Sequence, residues 1–286
     1  MIPMTEATAD HTGRAVDVEI VTRATPARAW EAWTDPARIT EWFADRATGF
    51  ALPNQTLRWS NDRLKAETTY TVLSATAPTR LLLEATGGPA PSRLEVTITA
   101  ARDGTRIRLI HSGFPLTPDF DEHYVAVASG WRMAMAVLRY YLEFQFGRGR
   151  QSFFVCRPAR YSASRLSALY RDPAGLQEWL TEAGSLGTPG GRVHLALKGG
   201  RILRGDMLAD TGTEVAMGWD EINGVLEFKS FPWDRENGLR AICGRGWGWE
   251  LPADQALQIE QEIQAAVDRL ETALEAVPAS VTSLRT

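Results

Sequence analysis

Val16, Val18 and Ile20 alternate with Asp17 and Glu19, a period of two that predicts a strand with one apolar face. From Thr25 the spacing turns helical. Thr25 is a good N-cap with Pro26 at the first helical position, and Ala29, Trp30 and Trp33 fall on one side of the short helix that follows. Asp35-Pro36 ends that helix and starts a second, which carries Ile39, Trp42 and Phe43. Strand-like segments follow at 56–59, 65–73, 80–85, 93–101 and 105–112. They are divided by Ser60-Asn61-Asp62, Ala77-Pro78, a loop at 87–91 and the hairpin signal Arg102-Asp103-Gly104. From about Asp121 to Phe146 the pattern is helical again. Val127, Trp131, Met135, Leu138 and Leu142 share one face, and Val137, Tyr141 and Phe144 make a second apolar line on the flank.

The whole order then repeats. Residues 162–180 read SASRLSALYRDPAGLQEWL against TPARAWEAWTDPARITEWF at 25–43, and without a gap Asp172-Pro173 falls on Asp35-Pro36 and Trp179 on Trp42. Ser162 takes the capping position, Leu166, Leu169 and Tyr170 the first apolar face, and Leu176, Trp179 and Leu180 the second. Strands are expected at 152–157, 192–197, 202–208, 214–219, 225–231 and 239–249. A last helix, capped by Asp254, lines up Ile259, Ile263, Val267, Leu270 and Leu274. Two copies predict two domains, at 15–147 and 151–278, joined by Gly147-Arg148-Gly149-Arg150. Each is expected to be α+β, a six-stranded antiparallel sheet curved around one long helix, which is the economical way to bury that helix's stripe. Residues 1–14 and those from Pro278 onward read as polar, frayed ends.

A chain of 286 residues at 44% hydrophobic is long enough for two such cores. The net charge of -4 divides evenly between the copies, so neither offers a basic field for nucleic acid. No apolar run reaches the roughly 18 residues of a membrane helix, and the N-terminal stretch lacks the apolar core of a signal peptide. A cytoplasmic protein without membrane insertion is the expectation. Cys156 and Cys243 lack the spacing of a redox or zinc site and are expected as two free, partly buried thiols. His11, His111, His123 and His194 have no second ligand at metal spacing, so neither a metal nor a cofactor is expected.

Trp30-x-x-Trp33-Thr34-Asp35-Pro36, Trp42-Phe43, Trp59, His111-Ser112-Gly113-Phe114-Pro115 and Gly130-Trp131 carry a resemblance across residues 16–146. They resemble the bacterial domain family related to the C-terminal domain of the activator of heat-shock protein 90 ATPase (AHSA-type). That family belongs to the SRPBCC, or helix-grip, superfamily of START and Bet v 1-like proteins. The second copy diverges. Gly190-Gly191-Arg192-Val193 looks like the family's glycine-led second strand, but Gly244-Arg245-Gly246-Trp247-Gly248-Trp249 corresponds only loosely to the His-Ser-Gly-Phe run.

The resemblance implies two tandem helix-grip domains, each with its first and last strands adjacent, which would bring Cys156 and Cys243 close. It also implies an enclosed space for a small apolar or amphipathic molecule. In the first copy Trp42, Phe43, Trp59, Tyr70, His111, Phe114, Trp131 and Met135 would line it, with His111 and Arg58 as polar anchors. In the second copy the corresponding candidates are Trp179, His194, Trp219, Trp233, Trp247 and Trp249.

Three function classes follow. The first is a carrier or ligand-sensing protein. The second is a co-chaperone or other protein-interaction module, as the family's name implies, with an unspecified protein partner. The third is an enzyme resembling two-domain polyketide aromatase/cyclases. In that case His111 or His194, beside Arg58 or Arg192, could supply acid–base chemistry. No spacing compels a reaction, so no residue is assigned as catalytic and binding is the leading expectation.

Overall fold

The computed structural model describes residues 13–85, 91–234 and 237–276. Most of the expected N-terminal lead, nearly all of the loop at 87–91 and the tail from Pro278 lie outside them. The first copy comprises β1 (Arg14–Thr22), α1 (Pro26–Thr34), α2 (Pro36–Trp42), β2 (Arg46–Gly49), β3 (Thr56–Asn61), β4 (Ala66–Thr76), β5 (Arg80–Ala85), β6 (Ser92–Ala101), β7 (Gly104–Phe114) and α3 (Asp121–Tyr140). A π-helical turn, Tyr141–Gln145, prolongs α3. The second copy comprises β8 (Arg150–Ala159), α4 (Ala163–Arg171), α5 (Pro173–Trp179), β9 (Thr181–Ser185), β10 (Arg192–Leu197), β11 (Ile202–Asp210), β12 (Val215–Trp219), β13 (Gly224–Asp234), β14 (Leu239–Trp249) and α6 (Ala253–Glu275).

Both corners form as their sequences dictate. Thr25 Oγ1 accepts the Arg28 amide at 3.3 Å, and Ser162 Oγ accepts the Arg165 amide at 3.2 Å. Asp35 and Asp172 sit in the extended region, which stops each first helix ahead of the proline that starts the next. The sheets share one order, β1-β7-β6-β5-β4-β3-β2 and β8-β14-β13-β12-β11-β10-β9. Each therefore has seven strands rather than the expected six. The added strands, β2 and β9, are edge strands of 4 and 5 residues reading RATG and TEAGS. Such short polar segments carry no apolar alternation to read. The last helix also differs at its start, with Pro252 rather than Asp254 in the capping position.

The chain forms two compact units. The first holds the described residues up to Pro36 and those within Asp45–Ala128. Leu57, Val72, Leu83, Val96 and Leu109 are buried on its sheet. The outer face of that sheet carries paired charges, Asp17 with Arg108 at 2.5 Å, Glu19 with Arg106 at 3.1 Å, Glu95 with Arg80 at 2.7 Å and Glu84 with Arg93 at 3.0 Å.

The second unit holds Ala37–Ala44 and the described residues from Ser129, and β12 with most of β13 and β14 in its sheet is buried on both faces. Inside, α6 presents the expected stripe of Ile259, Ile263, Val267, Leu270 and Leu274, all buried. The run Gly244-Arg245-Gly246-Trp247-Gly248-Trp249 on β14 alternates, with glycines inward. A Cβ at Gly244 would lie 2.5 Å from Ile263, one at Gly246 would lie 2.5 Å from Phe153, and one at Gly248 would lie 2.8 Å from Leu251. On the other face the end of α3 covers the sheet. Tyr140 and Tyr141 lie with their rings 5.8 and 6.2 Å from Trp249, and Ser129 Oγ donates to Glu214 Oε2 at 2.5 Å. The apolar flank expected on α3 is thus used at Val137 and Tyr141, both buried, while Phe144 stays 49% exposed.

Cys156 and Cys243 are directly opposed on β8 and β14, with Cα atoms 4.1 Å apart, and are joined as a disulfide. The expectation that they lie close holds, and the expectation of free thiols is overturned. Directly opposed positions on antiparallel strands bring the two side chains together on one face of the sheet.

Candidate functional site

Alternation along β3 separates two of the sequence candidates. Trp59 is buried, and its ring lies 4.7 Å from Tyr70 on β4 and 6.3 Å from Trp33 on α1. Arg58, the neighbouring residue, necessarily points the other way and pairs with Glu67 at 3.4 Å on the half-exposed outer face. It is therefore not a polar anchor beside Trp59. Burial pushes the Tyr70 hydroxyl up to about 12, so it stays a neutral donor near pH 7.

His111 and Phe114 come together through a bulge. Ala15 pairs with Ser112 and Arg14 with Phe114, which leaves Gly113 unpaired with φ +97°. A Cβ at Gly113 would lie 2.5 Å from the Pro91 carbonyl oxygen, so glycine is required there. The extra residue returns Phe114 to the face of His111, and the two rings meet edge-on at 4.7 Å. Burial, with a smaller contribution from His123, lowers the His111 pKa from 6.5 to about 4. His111 is thus a neutral imidazole near pH 7, able to donate from one nitrogen and accept at the other. Phe114 also lies 6.1 Å from His123 and 5.6 Å from Tyr124. Sequence reading left both out of the candidate set, although their place in the first turn of α3, just after the His-Ser-Gly-Phe run, was the available signal.

In the second unit Phe43 lies flat on Trp131, with centroids 5.5 Å apart and planes 5° from parallel, and Trp42 adjoins Phe43 at 5.1 Å. Trp42, Trp131 and Met135 are buried, whereas Phe43 is only half-buried.

The candidates of the second copy do not converge. Trp179 is a core residue whose Nε1 donates to the Leu169 carbonyl at 2.9 Å and whose ring meets Phe228 at 4.7 Å. Trp219, also fully buried, donates to the Ile202 carbonyl at 3.1 Å. His194 faces solvent because Val193 and Leu195 take the inward positions, and Trp233 is 55% exposed. Trp247 and Trp249 lie on the opposite face of β14 from its glycines, and Trp249 Nε1 donates to the Glu41 carbonyl at 2.8 Å. Glu227, fully buried beside them, pairs with Arg245. Burial raises its pKa, but the charges of Arg245 and Lys229 outweigh that effect and hold it below the usual carboxylate value. Among the described residues no three His, Cys, Asp or Glu side chains converge as metal ligands, and no helix is long and apolar enough to cross a membrane.

Residues 23–143 match the sequence family described as Activator of Hsp90 ATPase homolog 1-like protein. Comparison with curated proteins gives no match. Among solved structures, protein MLL2253 from Mesorhizobium loti is 25% identical over 44% of this chain and 94% of its own, with a TM-score of 0.40. The Aha1 dimer from Colwellia psychrerythraea is 17% identical over 46% and 97%, with a TM-score of 0.41. The di-domain ARO/CYC BexL from the BE-7585A biosynthetic pathway is 12% identical over 93% of this chain and 100% of its own, with a TM-score of 0.43. The match to the Activator of Hsp90 ATPase homolog 1-like family thus covers the first copy, over residues 23–143, and the second copy repeats its order of elements outside the matched residues.

Proposed function

We propose that the first copy binds a small apolar or amphipathic molecule and that the protein works as a carrier or ligand sensor. The observation that carries this reading is the neutral His111 set edge-on against the Phe114 ring. A partly buried imidazole that is uncharged near pH 7 can orient one polar group of a ligand, while Phe114 beside it and the Trp59–Tyr70 pair on the same sheet supply apolar area. Phe43, stacked on Trp131 and still half-open, is proposed as a second ligand-contacting surface. The domain boundaries 15–147 and 151–278 belong to the same proposal.

Titration with 8-anilinonaphthalene-1-sulfonate, alongside native mass spectrometry for a retained molecule, tests it. Saturable probe binding that weakens in Trp59→Ala and in His111→Gln supports the reading. A wild type that binds no probe and retains nothing would sink it.

A protein-interaction reading has one specific observation behind it. In the turn between β2 and β3, Phe50 and Leu52 are 68% and 60% exposed, and paired apolar side chains on a loop are a common contact for a partner.

A further inference from the structure

The seven residues of α2 end in carbonyl groups that a helix cannot satisfy by itself. One of them, at Glu41, and the Ala44 carbonyl two residues past the helix are held by side chains from the second copy. Trp249 Nε1, at the end of β14, donates to the Glu41 carbonyl at 2.8 Å, and Arg150 Nη2, at the start of β8, donates to the Ala44 carbonyl at 2.6 Å. The Glu41 carboxylate is fixed as well, by Arg38 at 2.5 Å, by the Gly147 amide at 3.1 Å and by the Tyr141 hydroxyl. Between the two held carbonyls sits Phe43, whose ring is the one stacked on Trp131. A helix this short has no stability of its own, so the position of its last residues depends on what holds their backbone.

We propose that Trp249 and Arg150 are positioning residues for the Phe43–Trp131 pair, so that the second copy tunes ligand binding through two backbone carbonyls. This rests on the reading that the pair contacts ligand. Neither residue need touch the ligand. Trp249 fixes the backbone two residues before Phe43 and Arg150 fixes the residue after it, which sets the plane in which the Phe43 ring meets Trp131.

The test uses the full chain labelled with 5-fluorotryptophan, in which the fluorine resonance of Trp131 is assigned by its absence in Trp131→Phe. Trp249→Phe keeps an aromatic ring against Tyr141 but removes the donor. Arg150→Met removes the other donor and serves if Trp249→Phe fails to fold. Trp219→Phe is the control, because it also costs one buried indole hydrogen bond but one made to the Ile202 carbonyl. The expected result is a shifted or broadened Trp131 resonance in the first two variants, with probe affinity weakened about three- to tenfold, the worth of one hydrogen bond. The control should leave both unchanged.

An unmoved Trp131 resonance overturns the proposal, whatever the probe does. A moved resonance with unchanged affinity overturns the link to binding. A wild type that binds no probe would instead defeat the ligand reading, while the resonance still reports on positioning.

Discussion

Tyr141 donates its phenolic hydrogen to Oε2 of Glu41, across a sequence separation of 100 residues, and the Gly147 amide donates to the same oxygen at 3.1 Å. Both residues are buried. Burial first, and the neighbouring carboxylate second, push the Tyr141 hydroxyl well above its ordinary pKa, so it is a donor at neutral pH. Removing the hydroxyl leaves a buried charge short of a partner. Tyr141→Phe is expected to cost about 1.5 to 3 kcal/mol in urea melts at neutral pH. Phe144→Ala, at a half-exposed position on the same flank, should cost clearly less.

His111 predicts a pH dependence. In the unfolded chain the imidazole takes up a proton near 6.5, but in the fold only near 4. Between those values the unfolded state holds more protons, so stability falls as pH drops from 6.5 to 4, by up to about 3 kcal/mol. His111→Gln should flatten that part of the profile. Identical slopes in wild type and variant, measured by urea melts at several pH values, would contradict the partly buried neutral imidazole.

Gly244→Ala tests how tightly the second copy is closed. Its Cβ would lie 2.5 Å from Ile263, 3.1 Å from Phe228 and 3.2 Å from Val267, all buried core residues. A loss of about 1 to 3 kcal/mol is expected, the usual cost of overpacking. A neutral substitution would mean that α6 stands off β14.

The disulfide gives a prediction by chemistry alone. Thiol titration of the unfolded, unreduced chain should find no free group, and reduction should release two. Replacing both cysteines with serine should cost about 2 to 4 kcal/mol, since the bond closes a sequence separation of 87 residues in the unfolded chain.

Much of the fold was legible because its signals are local. The caps at Thr25 and Ser162, the Asp-Pro stops and the stripe on α6 all act within a few residues of chain. The edge strands β2 and β9 escaped because four or five polar residues owe their conformation to the neighbouring strand rather than to their own pattern. The candidate site was legible in residue type but not in direction. Arg58 beside Trp59, and His194 between Val193 and Leu195, were placed facing inward by chemistry that the strand period forbids. Trp247 and Trp249 read as lining because they are aromatic. What turns them outward is the alternation with Gly244, Gly246 and Gly248, a pattern already visible in the sequence.

Those three glycines decide what the second copy can become. In the first copy the last strand delivers His111 and Phe114 to the ring cluster at its end. In the second, the equivalent strand brings only backbone to the interior from Gly244 onward, beyond the apolar Ile242, and α6, Phe153 and Leu251 take up the room that side chains would need. Substitution along that strand can therefore add no new functional group inside without displacing the helix. Its outward positions are Arg245, Trp247 and Trp249, so variation there alters how the strand meets Glu41 and Tyr141.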